Sequence, residues 1–240
     1  MSLTPHLQPS ALVGEMPRQV NQRKDATIKL GWPGFCPRQP RLVLPIFDDS
    51  GSVTAPGGGD PIGNRYSEAQ LAFDALHEWC TCRKCLAAVL HFDTPHGDVD
   101  PGRLGSSLFQ QQLAHELRAP KGGGSSLLGP SMDRAYEIAT QYPKHEVRLV
   151  VLTDWQLFDT DNILDRLRSF PGTVLTIGLN ADPPSEGTDD NDNVVGLRIG
   201  HDDPPVAVAR ALFGELTVGR RGRRFIGRTA RKSATGEATE

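Results

Sequence analysis

RLVLPIFDDSGS, residues 41–52, decides the fold. Leu42 to Phe47 form an unbroken apolar run, which ends in Asp48, Ser50 and Ser52 with Gly51 between the serines. A strand covered on one face alternates, whereas a strand covered on both reads as a continuous apolar run, so a buried parallel strand is expected. The polar cluster then falls at the carboxyl edge of the sheet, where α/β folds place their ligand sites. One carboxylate and two hydroxyls on a tight turn suit a hard cation such as Mg2+, which takes oxygen ligands in an octahedron and keeps several waters.

Outward from this stretch, strands and helices alternate. Apolar runs predict further strands over residues 86–92, 147–152, 173–179 and 194–199. Helical spacing predicts helices over 66–80 (Leu71, Phe73, Ala75, Leu76 and Trp79 inward) and 106–117 (Leu108, Leu113 and Leu117 inward). Further helices are expected over 127–141 and 162–170, and one from Pro204 to about 218. Residues 53–64 are a loop, and the acidic stretch 182–193 is a solvated one; its Asp189, Asp190 and Asp192 lack the spacing of a calcium loop. Strands joined by helices require right-handed crossovers. The fold class is α/β: a Rossmann-like, doubly wound, mostly parallel sheet with helices on both faces, in three layers.

Residues 1–40 read as a polar, proline-studded arm with an edge strand near 26–30, residues 41–218 as the domain, and residues 219–240 as a basic, disordered tail. The hydrophobic share is 38%, low for a globular chain of 240 residues, and agrees with such ends. No stretch approaches a membrane span and no secretory signal is visible, so a cytoplasmic location without a membrane partner is expected. The tail gathers Arg220, Arg221, Arg223, Arg224, Arg228, Arg231 and Lys232 without an acid; taking these seven cations from a net charge of −3 leaves about −10 for the rest. Arg220, Arg221, Arg223, Arg224 and Arg228 are candidate nucleic-acid contacts, since clustered arginines neutralise phosphates. That composition leaves open a nucleic-acid-associated accessory protein, or a basic end that does little.

In a parallel sheet every strand-to-helix turn lies on one edge. Asp48, Ser50 and Ser52 arrive with the first turn, Ser126 or Ser125 with the glycine-rich turn GGGSS, and Asp154 with the end of the strand RLVVLTD. Two carboxylates and three hydroxyls leave Mg2+ with open positions, which an acidic side chain of another molecule can fill. A hydrolase is disfavoured, because no His, Lys or Glu stands in sequence beside Asp48 as a base. An aspartic protease needs an all-β frame, and a haloacid-dehalogenase phosphatase needs an aspartate where Ser50 stands.

These motifs resemble the von Willebrand factor A (VWA) family with a metal-ion-dependent adhesion site. The family's D-x-S-x-S corresponds to Asp48, Ser50 and Ser52, its glycine-led threonine to Ser126 in GGGSSLLG, and its strand ending in Thr-Asp to Asp154. The resemblance covers about residues 41–218. It implies a non-enzymatic adaptor that binds Mg2+ (or Mn2+ or Ca2+) and grips an Asp or Glu of a partner protein. Serine for threonine loses the methyl that stiffens the rotamer. The family's antiparallel edge strand would follow residue 93, where GDVDPGRLG implies a shortened one.

Four cysteines in a chain without a signal point to thiols or metal rather than disulfides. Cys80, Cys82 and Cys85 make C-x-C-x-x-C between a helix and a strand, and Cys36 precedes the first core strand. The predicted topology brings all four to the amino edge, opposite the aspartates. A structural Zn2+ site, unrelated free thiols and a Cys80–Cys85 redox pair all remain open, with His91 and His96 as further candidate ligands.

Overall fold

The computed structural model describes residues 29–60, 65–92, 94–118, 124–159, 162–183 and 193–225. Arg228 and the acidic run Asp189, Asp190 and Asp192 lie outside the described residues.

Six strands form one sheet: β2 (Arg41–Phe47), β3 (Cys85–His91), β4 (Val99–Arg103), β5 (Glu146–Thr153), β6 (Thr173–Leu179) and β7 (Val194–Ile199). Their order is β4-β3-β2-β5-β6-β7, and all are parallel except β4, which runs antiparallel along the β3 edge. The fold is thus the doubly wound α/β architecture expected, with the single short antiparallel edge strand that the sequence resemblance implied. That edge strand is short, slips register between Ala87 and Val89, and carries Pro101, which an edge position tolerates.

Alternate residues of β2 feed two cores. Val43 and Phe47 face the layer of α2 (Arg65–His77), α3 (Ser107–Glu116) and α6 (Ala207–Thr217). Leu42, Leu44 and Ile46 face α4 (Gly129–Gln141) and α5 (Ile163–Arg168). This double coverage is the physical reason the strand is apolar throughout. A single turn of helix, α1 (Gly51–Thr54), follows β2 directly.

Helix starts depend on distant side chains. Ser106 caps α3 by accepting from Phe109 N, which phases the helix so that Phe109, Leu113 and Leu117 are buried and Leu108, expected inward, is exposed. Helix α6 begins at Ala207 rather than near Pro204, because the buried Glu68 carboxylate accepts from Val206 N (2.7 Å) and Ala209 N (3.1 Å). Burial pushes the Glu68 carboxyl above its ordinary range despite these amides. Helix α2 ends at His77, so Trp79 is exposed and meets Trp32 edge-on, 4.7 Å between centroids.

Both ends of the domain differ from expectation. Residues 29 and 30 are not an edge strand of the main sheet; instead β1 (Gly31–Trp32) pairs antiparallel with β8 (Arg224–Phe225) in a separate small sheet. Residues 219–225 are therefore packed structure rather than the start of a free tail. No helix among the described residues is long and apolar enough to cross a membrane.

Candidate functional site

The chain leaves β2 toward β3 on one side and later resumes at β5 on the other. The crevice between the carboxyl ends of β2 and β5 is therefore the topological switch point. Asp48 and Asp154 come from those two strand ends. Asp48 N continues the ladder to Leu152 O (3.0 Å), and its carboxylate accepts from Ser50 N (2.8 Å) and Thr153 Oγ1 (2.6 Å). Ser50 Oγ and Ser52 Oγ lie 2.9 Å apart. Asp48 is fully buried, not at the surface, and burial raises its pKa; the charge of nearby Asp154 adds to the rise.

Asp154 stands on a strained turn. Trp155 has φ 60, a left-handed conformation costing about 1–2 kcal/mol for a non-glycine residue. Thr153 Oγ1 and Asp154 Oδ1 hold the turn by accepting from Trp155 N (3.0 Å) and Gln156 N (3.1 Å). Asp154 Oδ2 is buried and has no hydrogen-bond partner among the described residues. Two buried carboxylates with an oxygen left over suit a bound cation, because an unpaired buried charge is costly.

The glycine-rich turn closes on the same edge. Gly124 N donates to Asp49 O (3.1 Å) and Gly124 bridges Ser50; a Cβ there would stand 2.4 Å from Asp49 O, so only glycine permits the approach. Ser126 is buried, and its carbonyl accepts from Phe158 N (2.9 Å) in the segment after β5. The turns that carry Asp48, Ser126 and Asp154 are thus tied to one another.

A second set of charges underlies this edge. Asp49 is buried between His91 Nδ1 (2.5 Å) and Arg65 Nη2 (3.3 Å), and Arg65 also reaches Asp60 (3.0 Å) and donates to the Asp48 carbonyl (2.8 Å). Arg65 thus pairs with Asp49 and Asp60, and among the described residues neither Asp48 nor Asp154 makes an ion pair. His91 is engaged here, at the opposite end of β3 from the cysteines. Consecutive aspartates at a strand end were the available sequence signal for Asp49; nothing local marked Arg65.

No protein-family model and no curated protein sequence matches this chain. Solved structures do. The pilus adhesin SpaC of Lactobacillus rhamnosus GG superposes with a TM-score of 0.56 at 11% identity, over 77% of this chain and 31% of that one. The likeness is one of fold. The chain spans less than a third of that adhesin's length. The manganese-loaded TRAP protein of Plasmodium vivax is also similar (TM-score 0.47, 13% identity, 76% of this chain and 75% of that one). So is the SpRpn10 VWA domain (0.46, 11%, 73% and 95%). The last two superpose too loosely to bear on the site.

The amino edge is built from sulfur. Sγ atoms of Cys36, Cys80, Cys82 and Cys85 all lie within 4.8 Å of one another. Arg220 is only 4% exposed and its Nη2 donates to Cys80 Sγ (3.4 Å) and Cys85 Sγ (3.2 Å). The hydrogen bond from Cys85, then Arg220, pulls the Cys80 thiol down to about 5, while that same bond pushes Cys85 up and burial pushes Cys36 up to about 11. Arg220 is therefore removed from the candidate phosphate contacts, being buried against thiols; Arg221, Arg223 and Arg224 are exposed.

Proposed function

We propose that this chain is a VWA-like, non-enzymatic interaction module that holds Mg2+, or Mn2+ or Ca2+, at the carboxyl edge and uses it to grip an aspartate or glutamate of a partner protein. Asp48, Ser50, Ser52 and Ser126 supply the oxygen set, and Asp154 joins it directly or through water. The observation that carries this reading is the buried Asp154 Oδ2, without a hydrogen-bond partner among the described residues, near a second buried carboxylate, Asp48. Oxygen donors of this kind take Mg2+ while retaining waters, and those waters hold coordination positions that a partner's carboxylate can take over. Phe158, 84% exposed on the segment bound to Ser126, offers apolar surface next to such a contact. Arg65 and His91 are already committed to Asp49 and lie beneath the crevice rather than among its oxygen donors.

The test uses Mn2+ followed by electron paramagnetic resonance on the full chain. Wild type takes up one ion at this site, and adding acetate or a glutamate-bearing peptide lowers the water-proton relaxation of the bound ion as a coordinated water is displaced. Asp48→Asn keeps the shape but weakens Mn2+ by about 100-fold, on the scale by which ligand and outer-shell changes act. Uptake by the variant equal to wild type, or no uptake by wild type, overturns the reading.

A further inference from the structure

The sulfur cluster, the buried arginine and the two-residue strands beside them explain one another. Neighbouring Sγ distances are 3.9 Å (Cys36–Cys80), 3.9 Å (Cys80–Cys82) and 3.3 Å (Cys82–Cys85). A tetrahedron with Zn–S bonds of about 2.3 Å has sulfur-to-sulfur edges of about 3.8 Å. The observed set therefore lies close to the ligand shell of a zinc ion.

We infer that Cys36, Cys80, Cys82 and Cys85 form a closed, structural tetrathiolate Zn2+ site, that Arg220 is its outer-shell cation, and that the metal fastens both ends of the described chain to the amino edge of the sheet. Four thiolates on Zn2+ carry a net charge of −2, which gives a buried guanidinium the anion it needs. Among the described residues no carboxylate pairs with Arg220, and its Nη1 and Nε atoms have no acceptor, so sulfur is its charge partner. Placing that cation against four neutral thiols instead would leave an unpaired buried charge, a costly arrangement.

The mechanical consequence follows from the connections. Cys36 comes from the segment before β2, Cys80 and Cys82 from the connection after α2, and Cys85 opens β3. Arg220 brings in the chain after α6. The sheet that joins the two ends consists of two residues from each strand, supported by one bridge between Phe35 and Arg221. A ribbon that short does not persist by itself in water. Its neighbour, the metal, supplies the missing constraint, as structural zinc sites supply folding energy to segments too small to hold themselves. This site is independent of the carboxyl-edge cation, so either can fail without the other.

The experiment is elemental analysis and cobalt substitution on the full chain purified under reducing conditions. The expected result is one zinc per chain and, on exchange with Co2+, the thiolate-to-metal charge-transfer band and intense visible bands of a tetrahedral sulfur site. Cys82→Ser and Cys85→Ser lose the stoichiometric metal, and Cys36→Ser weakens it, which separates four thiolates from three. Arg220→Met keeps one metal but with about 10- to 100-fold lower affinity, the range for an outer-shell partner. Zinc slows amide exchange at residues 30–36 and 220–225. The assignment is overturned if the reduced wild-type chain gives no cobalt–thiolate band, if all four thiols react freely with a thiol reagent in the presence of zinc, or if Cys82 and Cys85 are recovered as a disulfide. Unchanged metal affinity in Arg220→Met removes the arginine from the site.

Discussion

The two edges of the sheet are built by the same topology and hold opposite kinds of group. At the carboxyl edge the donors are oxygens, the turns come from β2, β5 and the glycine-rich segment, and Asp154 Oδ2 has no hydrogen-bond partner among the described residues. At the amino edge the donors are sulfurs, they face one another, and Arg220 lies over two of them. Parallel strands deliver their beginnings to one rim and their ends to the other, so each rim collects groups far apart in sequence. Donor chemistry then decides what each rim does. Hard oxygens with an unfilled valence suit an ion that keeps exchangeable positions, whereas four soft thiolates close around a metal that does no further binding. On the two proposals above, the difference is between a site for recognition and a site for holding the chain together.

The contrast is sharpest in stability. Cys85→Ser is expected to lower the melting temperature of the zinc-loaded chain by about 10–20 °C, corresponding to a loss on the order of 5 kcal/mol. Asp48→Asn, at the other rim, is expected to change the stability of the cation-free chain by about 1 kcal/mol or less, in the range of a conservative substitution. Thermal unfolding by circular dichroism checks both. Equal losses at the two rims would erase the distinction.

Within the carboxyl edge itself, the fixed charges can be separated from the recruiting ones. Arg65→Met removes the guanidinium from the Asp49 and Asp60 carboxylates and frees the Asp48 carbonyl from its donor. Breaking a buried pair in this way costs about 3–5 kcal/mol. Urea unfolding gives the loss, and Mn2+ titration of the folded variant should show weaker uptake, because Arg65 also anchors the turn that carries Asp48. A large loss of stability with unchanged Mn2+ affinity would show that the two charge sets are uncoupled.

The distribution of what could be read from sequence follows from how far each contact reaches. Buried parallel strands are continuous apolar runs, so β2, β3, β5, β6 and β7 were visible to within a residue or two, and the crossover rule placed their carboxyl ends together. Helix ends were less visible, since Glu68 fixes the start of α6 from 138 residues away and Ser106 sets the phase that exposes Leu108. The Asp49–His91 contact spans 42 residues and Arg220–Cys80 spans 140, distances at which no local pattern speaks. The basic run read as a free tail because charge is a surface signal on average, yet one of its arginines is buried and donates to the sulfurs of the cysteine cluster. Convergence of four cysteines was legible from topology; the arginine among them was not.

The smallest effect tests which hydroxyl faces the cation. Ser125 and Ser126 follow Gly124 consecutively, and backbone alternation sends neighbouring side chains to different surroundings. Ser126 is buried, with its carbonyl tied to Phe158 N, whereas Ser125 is only half-buried. A hydroxyl that must meet an ion in one rotamer gains from a β-methyl, which restricts χ1 before binding. Ser126→Thr should therefore strengthen Mn2+ binding by about two- to threefold, roughly 0.5 kcal/mol of rotamer entropy already removed. Ser125→Thr should leave the affinity unchanged. The same Mn2+ titration reads both variants, and the reverse pattern would move the ligand role to Ser125 while leaving the open character of this rim intact.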